Sequence, residues 1–148
     1  MPTRLTPYLS FNGNTREAFQ FYETALKGKI DVMMTYDEMP ASEADATCAG
    51  GPMPSGSGIM HACLSLPDGA LLMAGDTPPG LTHKAVEGVM MALQLDDAEQ
   101  ARQAFAALAE GGQVTMPLAP TFWARVFGMV TDRFGVSWGI SGEPTPMA

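Results

Sequence analysis

The strongest constraint on this chain is that it spells one arrangement of elements twice. Leu5 to Phe11 reads as a short strand, and Asn14 stands next where a helix cap belongs, with Glu17 three residues on in capping-box spacing. Ala18, Phe19, Phe21, Tyr22, Ala25 and Leu26 then recur at helical spacing, and Gly28 is placed to end the helix. Val89 to Leu95 opens the same series again. Asp97 takes the cap place, Gln100 the box position, and Ala101, Ala104, Phe105 and Leu108 the apolar stripe, before Gly111-Gly112 stops it. Both the caps (14 and 97) and the stop glycines (28 and 111) are 83 positions apart.

The segments after the two helices also correspond. The first helix leads into Lys29 to Tyr36, Gly58 to Leu66 and Ala70 to Gly75, the last two joined at Pro67-Asp68-Gly69. The second leads into Gln113 to Leu118, Arg125 to Thr131 and Val136 to Ser141, the last two joined at Asp132-Arg133-Phe134-Gly135. Asp-Gly between apolar runs is a strong hairpin signal. The expectation is an α+β fold of two βαβββ modules within a single domain over residues 1–148. The modules run over about 4–76 and 88–141, with a linker over 77–87 and a frayed tail over 142–148. Between the second and third strands of the first module, Asp37 to Ser57 is rich in Pro, Gly, Ser and Ala, a length typical of lids or mobile connectors.

Composition closes off other classes. With 148 residues, 46% hydrophobic and 16% charged, the chain has the material for a sizeable core. Eight Lys+Arg against sixteen Asp+Glu leave a net charge of −8, which argues against nucleic acid or an anionic membrane as partner. No apolar run approaches the roughly 18 residues of a membrane span. The N-terminus, Met1-Pro2-Thr3-Arg4, lacks the apolar h-region of a signal peptide, and Cys48 and Cys63 form no CxxC, so a cytoplasmic protein with reduced thiols is expected. No glycine-rich phosphate loop or GxSxG elbow is present, and no cofactor is expected.

Specific residues then carry a resemblance. They are Thr6-Pro7-Tyr8-Leu9-Ser10-Phe11-Asn12-Gly13-Asn14 with Phe21-Tyr22, Glu38-Met39-Pro40, and His61-Ala62. Most specific is Thr121-Phe122-Trp123-Ala124-Arg125-Val126-Phe127-Gly128, running into Thr131-Asp132-Arg133-Phe134-Gly135-Val136-Ser137-Trp138. In order and spacing the chain resembles the PhnB-like branch of the vicinal oxygen chelate superfamily, which includes glyoxalases, bleomycin-resistance proteins and extradiol dioxygenases. The resemblance implies cupped sheets around a cavity, a homodimer, and a small-molecule ligand. In metal-dependent members it implies metal ligands on the first and last strands of each module.

Period-two alternation assigns the strand faces. Leu5, Pro7, Leu9 and Phe11 are expected beneath the first helix, leaving Thr6, Tyr8 and Ser10 on the opposite face. Val89, Met91, Leu93 and Leu95 are expected in the second core, leaving Met90, Ala92 and Gln94 opposite. Met60, Ala62, Leu64 and Leu66 separate from Ile59, His61, Cys63 and Ser65 in the same way. Gln94 is the one plausible oxygen donor in the ligand-bearing strands, and a divalent ion needs several ligands converging, so no metal is expected.

The ligand-binding candidates are Tyr8, His61, Phe122, Trp123 and Phe127, with the 37–57 loop closing over them. Phe122, Trp123 and Phe127 read equally as dimer-interface or core packing. His61 is a hydrogen-bonding or acid/base candidate, with Asp76 or Glu38 as candidate partners in proton transfer. Asp76 either meets a ligand or caps the turn leading to Pro78; Glu38 is either a lid carboxylate or a solvated charge. His83 reads as a solvated linker residue. The leading expectation is metal-independent binding of a small apolar or planar molecule. The alternatives are an isomerase or lyase of the superfamily type using His61, and a demethylubiquinone methyltransferase, a name this branch often carries.

Overall fold

The computed structural model describes residues 3–38, 47–48, 51–52, 58–78 and 80–146. The chain divides into two compact units, Met1–Ala85 and Val86–Ala148. Most of the expected 37–57 lid lies outside the described residues.

The first unit runs β1 (Tyr8–Phe11), α1 (Thr15–Ala25), β2 (Lys29–Thr35) and a 3-10 turn (Tyr36–Glu38). A two-residue ladder of β3 (Thr47–Cys48) and β4 (Gly51–Pro52) comes next, then β5 (Ile59–Ser65) and β6 (Leu71–Asp76). Its main sheet has the order β1-β6-β5-β2, with β1 parallel to β6 and the other pairs antiparallel. Helix α1 buries Ala18, Phe19 and Tyr22 on one face of the sheet, where Ala62, Leu64 and Ala74 are also fully buried. The opposite face is open.

The second unit repeats the plan: β7 (Met90–Leu95), α2 (Ala98–Ala109), β8 (Gln113–Ala119), β9 (Ala124–Thr131) and β10 (Ser137–Pro144). Its order is β7-β10-β9-β8, again with one parallel pair, β7 with β10. Ala101 and Leu108 of α2 are buried on the side of the sheet that buries Val126, Val130, Trp138 and Ile140. The α+β architecture and both strand–helix–strand–strand–strand runs are therefore as the repeat predicts.

The helix ends depart from expectation in an instructive way. Asn14 occupies the N-cap of α1, yet its side chain makes no capping bond. The acceptor comes instead from Asp76, at the far end of β6. Its Oδ1 accepts from the Thr15 amide at 3.0 Å and the Thr15 hydroxyl at 2.7 Å, and its Oδ2 accepts from the Ile59 amide at 2.8 Å. The Asp76 backbone carbonyl takes the Tyr36 hydroxyl at 2.9 Å. One residue thus ties together α1, β5, β6 and the turn after β2. In α2 the local signal does hold, because the Asp97 carboxylate accepts from the Glu99 amide at 2.7 Å.

At the other end of α1, Lys27 rather than Gly28 takes the left-handed conformation, with φ of 55°. The Gly28 amide reaches back to the Glu23 carbonyl at 3.1 Å, a Schellman ending with Lys27 at C′. Gly28 is required for a different reason. A Cβ there would lie 2.8 Å from the Ser65 carbonyl oxygen, just as one on Gly112 would overlap that of Thr131. The structural partner of Gly28 is Gly112, and that of Lys27 is Gly111, so the offset grows to 84 because α2 is one residue longer than α1.

Three strand expectations also shift. Val89, expected in the core, precedes β7 and is 55% exposed. Ile59, expected on the open face, is buried with its amide on Asp76, and the β2–β5 register slips between Met34 and Thr35, opposite the start of β5; Cys63 keeps the expected face, beside Met73, though it is buried. The tail is no loose end: β10 continues to Pro144, which pairs with Ala124. Gly142 makes this possible, since a Cβ there would come within 2.5 Å of the Ala101 Cβ on α2.

Replacing Asp76 by Ala would leave three donors at the Thr15–Ile59 junction without their acceptor. A destabilisation of at least about 3 kcal/mol is expected in denaturant unfolding, with Asp76→Asn intermediate. An Ala variant as stable as the parent would contradict the clamp.

Candidate functional site

The candidate side chains lie on strands, turns and loops of both sheets, and each is described within its own unit. In the first unit, Tyr8 on β1 lies beside Met73 on β6, and Met73 beside Cys63 on β5. The Tyr8 ring stacks on His61, with centroids 5.8 Å apart and planes 18° apart. The Tyr8 hydroxyl donates to the Met60 carbonyl at 3.1 Å. Having given its single proton there, it can only accept from His61, whose Nδ1 lies 3.5 Å away. In the tautomer that donates from Nδ1, Nε2 is the acceptor. Gly75 makes room for the arrangement: a Cβ there would sit 2.6 Å from the Met60 oxygen and 2.9 Å from the Tyr8 hydroxyl. Periodicity gives no signal at Gly75, because its reason is a close approach between strands.

Burial pushes the Tyr8 phenol above its ordinary pKa, so it stays a neutral donor. Burial, followed by the nearby Asp31 carboxylate, likewise pushes the Cys63 thiol up. A thiol so placed stays protonated near neutral pH and is a poor nucleophile.

The carboxylates considered beside His61 are engaged elsewhere. Asp76 pairs with Phe11, on the helix side of the sheet, whereas His61 stacks on Tyr8 on the open side. It is 8% exposed and holds three donors, so the expected His61–Asp76 pairing is not assembled. Glu38 closes the 3-10 turn, its Oε2 accepting from the Thr35 amide at 3.0 Å. His83, read as a solvated residue, is half-buried and shares a 2.8 Å hydrogen bond with the Thr77 hydroxyl.

The second unit carries the aromatic segment. Phe122 is 76% exposed and Trp123 36% exposed, and both line a groove of about 660 Å³ together with Gln94, Asp96, Ser141 and Thr145. The Phe122 and Trp123 rings meet at 83° with centroids 4.8 Å apart. Phe127, expected to line the site with them, is not among the groove's lining residues but packs on Trp123, with centroids 5.3 Å apart and planes at 67°. The segment is pinned on both sides. The Thr121 hydroxyl accepts from the Trp123 and Ala124 amides at 3.4 and 3.1 Å. Thr145 donates its amide to the Trp123 carbonyl and its hydroxyl to the Phe122 carbonyl, both at 2.9 Å. Alternation marks Gln94, and Ser141 is its register partner. Asp96 and Thr145 carry no such signal, since one stands just after a strand and the other lies in a segment that reads as frayed. Arg125 donates to Glu143 at 3.1 Å, an exposed pair of little energetic weight.

The first and last strands of the modules, where metal-dependent relatives hold an ion, present Tyr8, Ser10, Met73 and Gly75 in one unit and Gln94 and Ser141 in the other. Neither set fits a divalent ion that needs several converging ligands: the first unit adds one imidazole, His61, and the second offers one carboxamide. Among the described residues no group of three His, Cys, Asp or Glu gathers, and no helix is long and apolar enough to cross a membrane.

Comparison with known proteins agrees with this architecture. Residues 4–140 match the model of the Glyoxalase/Bleomycin resistance protein/Dioxygenase superfamily. The chain is 33% identical over 139 residues to Protein YjdN of Escherichia coli K12, covering 93% of each. Protein PA1353 of Pseudomonas aeruginosa superposes with a TM-score of 0.81 at 40% identity, covering 96% of this chain and 98% of that one. A PhnB protein of Bacillus cereus, provisionally described as a 3-demethylubiquinone-9 3-methyltransferase, superposes at 0.72 with 23% identity, covering 95% and 99%. A family model matching residues 4–140, together with a relative 33% identical over 93% of each chain, makes this protein a member of the glyoxalase/bleomycin resistance/dioxygenase superfamily.

Proposed function

We propose that this chain binds a small, largely apolar or planar molecule in the groove of its second unit, without a metal or cofactor. The observation that carries the reading is the Phe122–Trp123 wall. Two large rings stand exposed to solvent, yet their backbone is fixed by Thr121 and Thr145. Exposed apolar rings held in one geometry suit a ligand surface, where apolar area supplies affinity and a few polar groups set orientation. Gln94 and Ser141 are the polar anchors. The stacked Tyr8–His61 pair serves as a second, smaller recognition element on the first unit's open face.

Tryptophan fluorescence tests this directly with a neutral planar probe such as 2-naphthol. Trp138 is buried and bonded to Asp132, so quenching should come from Trp123. Trp123→Ala removes the reporting indole, so its binding is followed by titration calorimetry, where it should be weaker by about 1–3 kcal/mol. Unchanged binding together with loss of the dimer would instead make the segment an interface.

A second reading is favoured by one observation, the His61 ring stacked on Tyr8 on the open face with its Nδ1 3.5 Å from the Tyr8 hydroxyl. On that reading the protein is an isomerase or lyase and His61 moves the proton, without help from Asp76. For any ligand that turns over, His61→Asn should then slow the reaction by about 10²–10⁴ with affinity nearly unchanged. An unaffected rate would discard it. A methyltransferase activity has less support, because the Bacillus cereus likeness extends to the fold alone and the sequence has no glycine-rich loop for a nucleotide-type cofactor.

We further propose a homodimer. Each four-stranded sheet has edge strands, β1 and β2 or β7 and β8, whose backbone groups a second copy can satisfy. Light scattering at micromolar concentration should give twice 15.7 kDa, and a monomer mass would refute the dimer.

A further inference from the structure

We infer that the groove of the second unit selects organic cations: it reads an alkylated ammonium between the Phe122–Trp123 wall and the Asp96 carboxylate. This rests on the reading of that groove as a ligand site and names the chemistry it recognises. The pairing of charges in this unit singles out one carboxylate. Residues 86–148 contain seven acidic side chains and three arginines, with no lysine or histidine. Each arginine faces a glutamate: Arg102 with Glu99, Arg125 with Glu143, Arg133 with Glu110. Asp97 caps α2, and Asp132 is buried, accepting from the Phe134 and Val136 amides and the Trp138 indole. Glu87 and Asp96 remain, and of these only Asp96 lines the groove. Its carboxylate is exposed and has no hydrogen-bond or ion-pair partner among the described residues.

The groove therefore joins one unanswered negative charge to two aromatic rings, and no cationic side chain lines it. Rings at 83° to each other present a face and an edge at a corner, and a ring face carries the negative end of its quadrupole. A cation against that face is attracted by the ring and by the carboxylate together, while its methyl groups bury apolar area. An anionic ligand would meet Asp96 with no positive group to offset it. The net charge of −8 adds long-range attraction for a cation. Gln94, Ser141 and Thr145 leave room for a hydroxyl or carbonyl on the rest of the molecule.

Choline and its uncharged isostere 3,3-dimethyl-1-butanol separate charge from shape. Titrated into the full chain and followed by Trp123 fluorescence, choline should bind about tenfold more tightly than the alcohol. Asp96→Asn, a change at an exposed position, should remove most of that preference. Equal affinity for the isosteres, or an undiminished preference in Asp96→Asn, would overturn the inference while 2-naphthol binding still upheld the groove as a ligand site. Failure of all three probes to bind would overturn both.

Discussion

A single buried carboxylate sets the geometry on which the first unit depends. Asp76 stands at the end of the last strand, where its side chain meets the first amide and hydroxyl of α1 and the first amide of β5. Burying a charge is costly unless donors replace the lost water, and here three do, one of them at the positive end of a helix. The bond to Thr15 spans 61 positions of sequence, so it seats the helix on the sheet as well as capping it. With α1 committed to one face, the other is left for Tyr8, His61 and Met73.

The second unit meets the same requirement by local means, and the difference bears on function. Phe11 pairs with Asp76 where Leu95 pairs with Gly142, so the two positions correspond. At Gly142 the helix comes into direct contact with the strand, and Asp97 caps α2 from the adjoining turn. No long-range clamp is needed there. The strand runs on to Pro144, and Thr145 continues from it to hold the carbonyls of Phe122 and Trp123. The same architecture thus fixes a structural carboxylate in one unit and a rigid aromatic wall in the other.

The range of each interaction decides whether the sequence discloses it. The doubled element order, the α2 cap and the open placement of Tyr8 and Gln94 are encoded within a few neighbouring residues, and periodicity reads them. The Asp76 clamp depends on a partner 61 positions away, so local rules credit Asn14 with a capping bond that it does not make. Lys27 in the left-handed region and Gly28 beside a carbonyl exchange the roles that a glycine-stop rule assigns. Phe122, Trp123 and Phe127 are legible as a group because they lie close in sequence. Asp96 gains its meaning only from the partners of the other charges in the second unit, which lie on separate elements.

On the function proposed here the two units divide the work, the Asp76 junction of the first being structural and the groove of the second taking the ligand. The two indole N–H signals in a nitrogen–proton NMR spectrum test this division in one titration. With benzyltrimethylammonium as probe, the Trp123 signal and the amides of Gln94, Asp96 and Thr145 should move. The Trp138 indole, bonded to Asp132 at 2.8 Å, and the Thr15 and Ile59 amides should stay in place. Shifts centred on Thr15, Ile59 or Trp138, with Trp123 unmoved, would contradict the account.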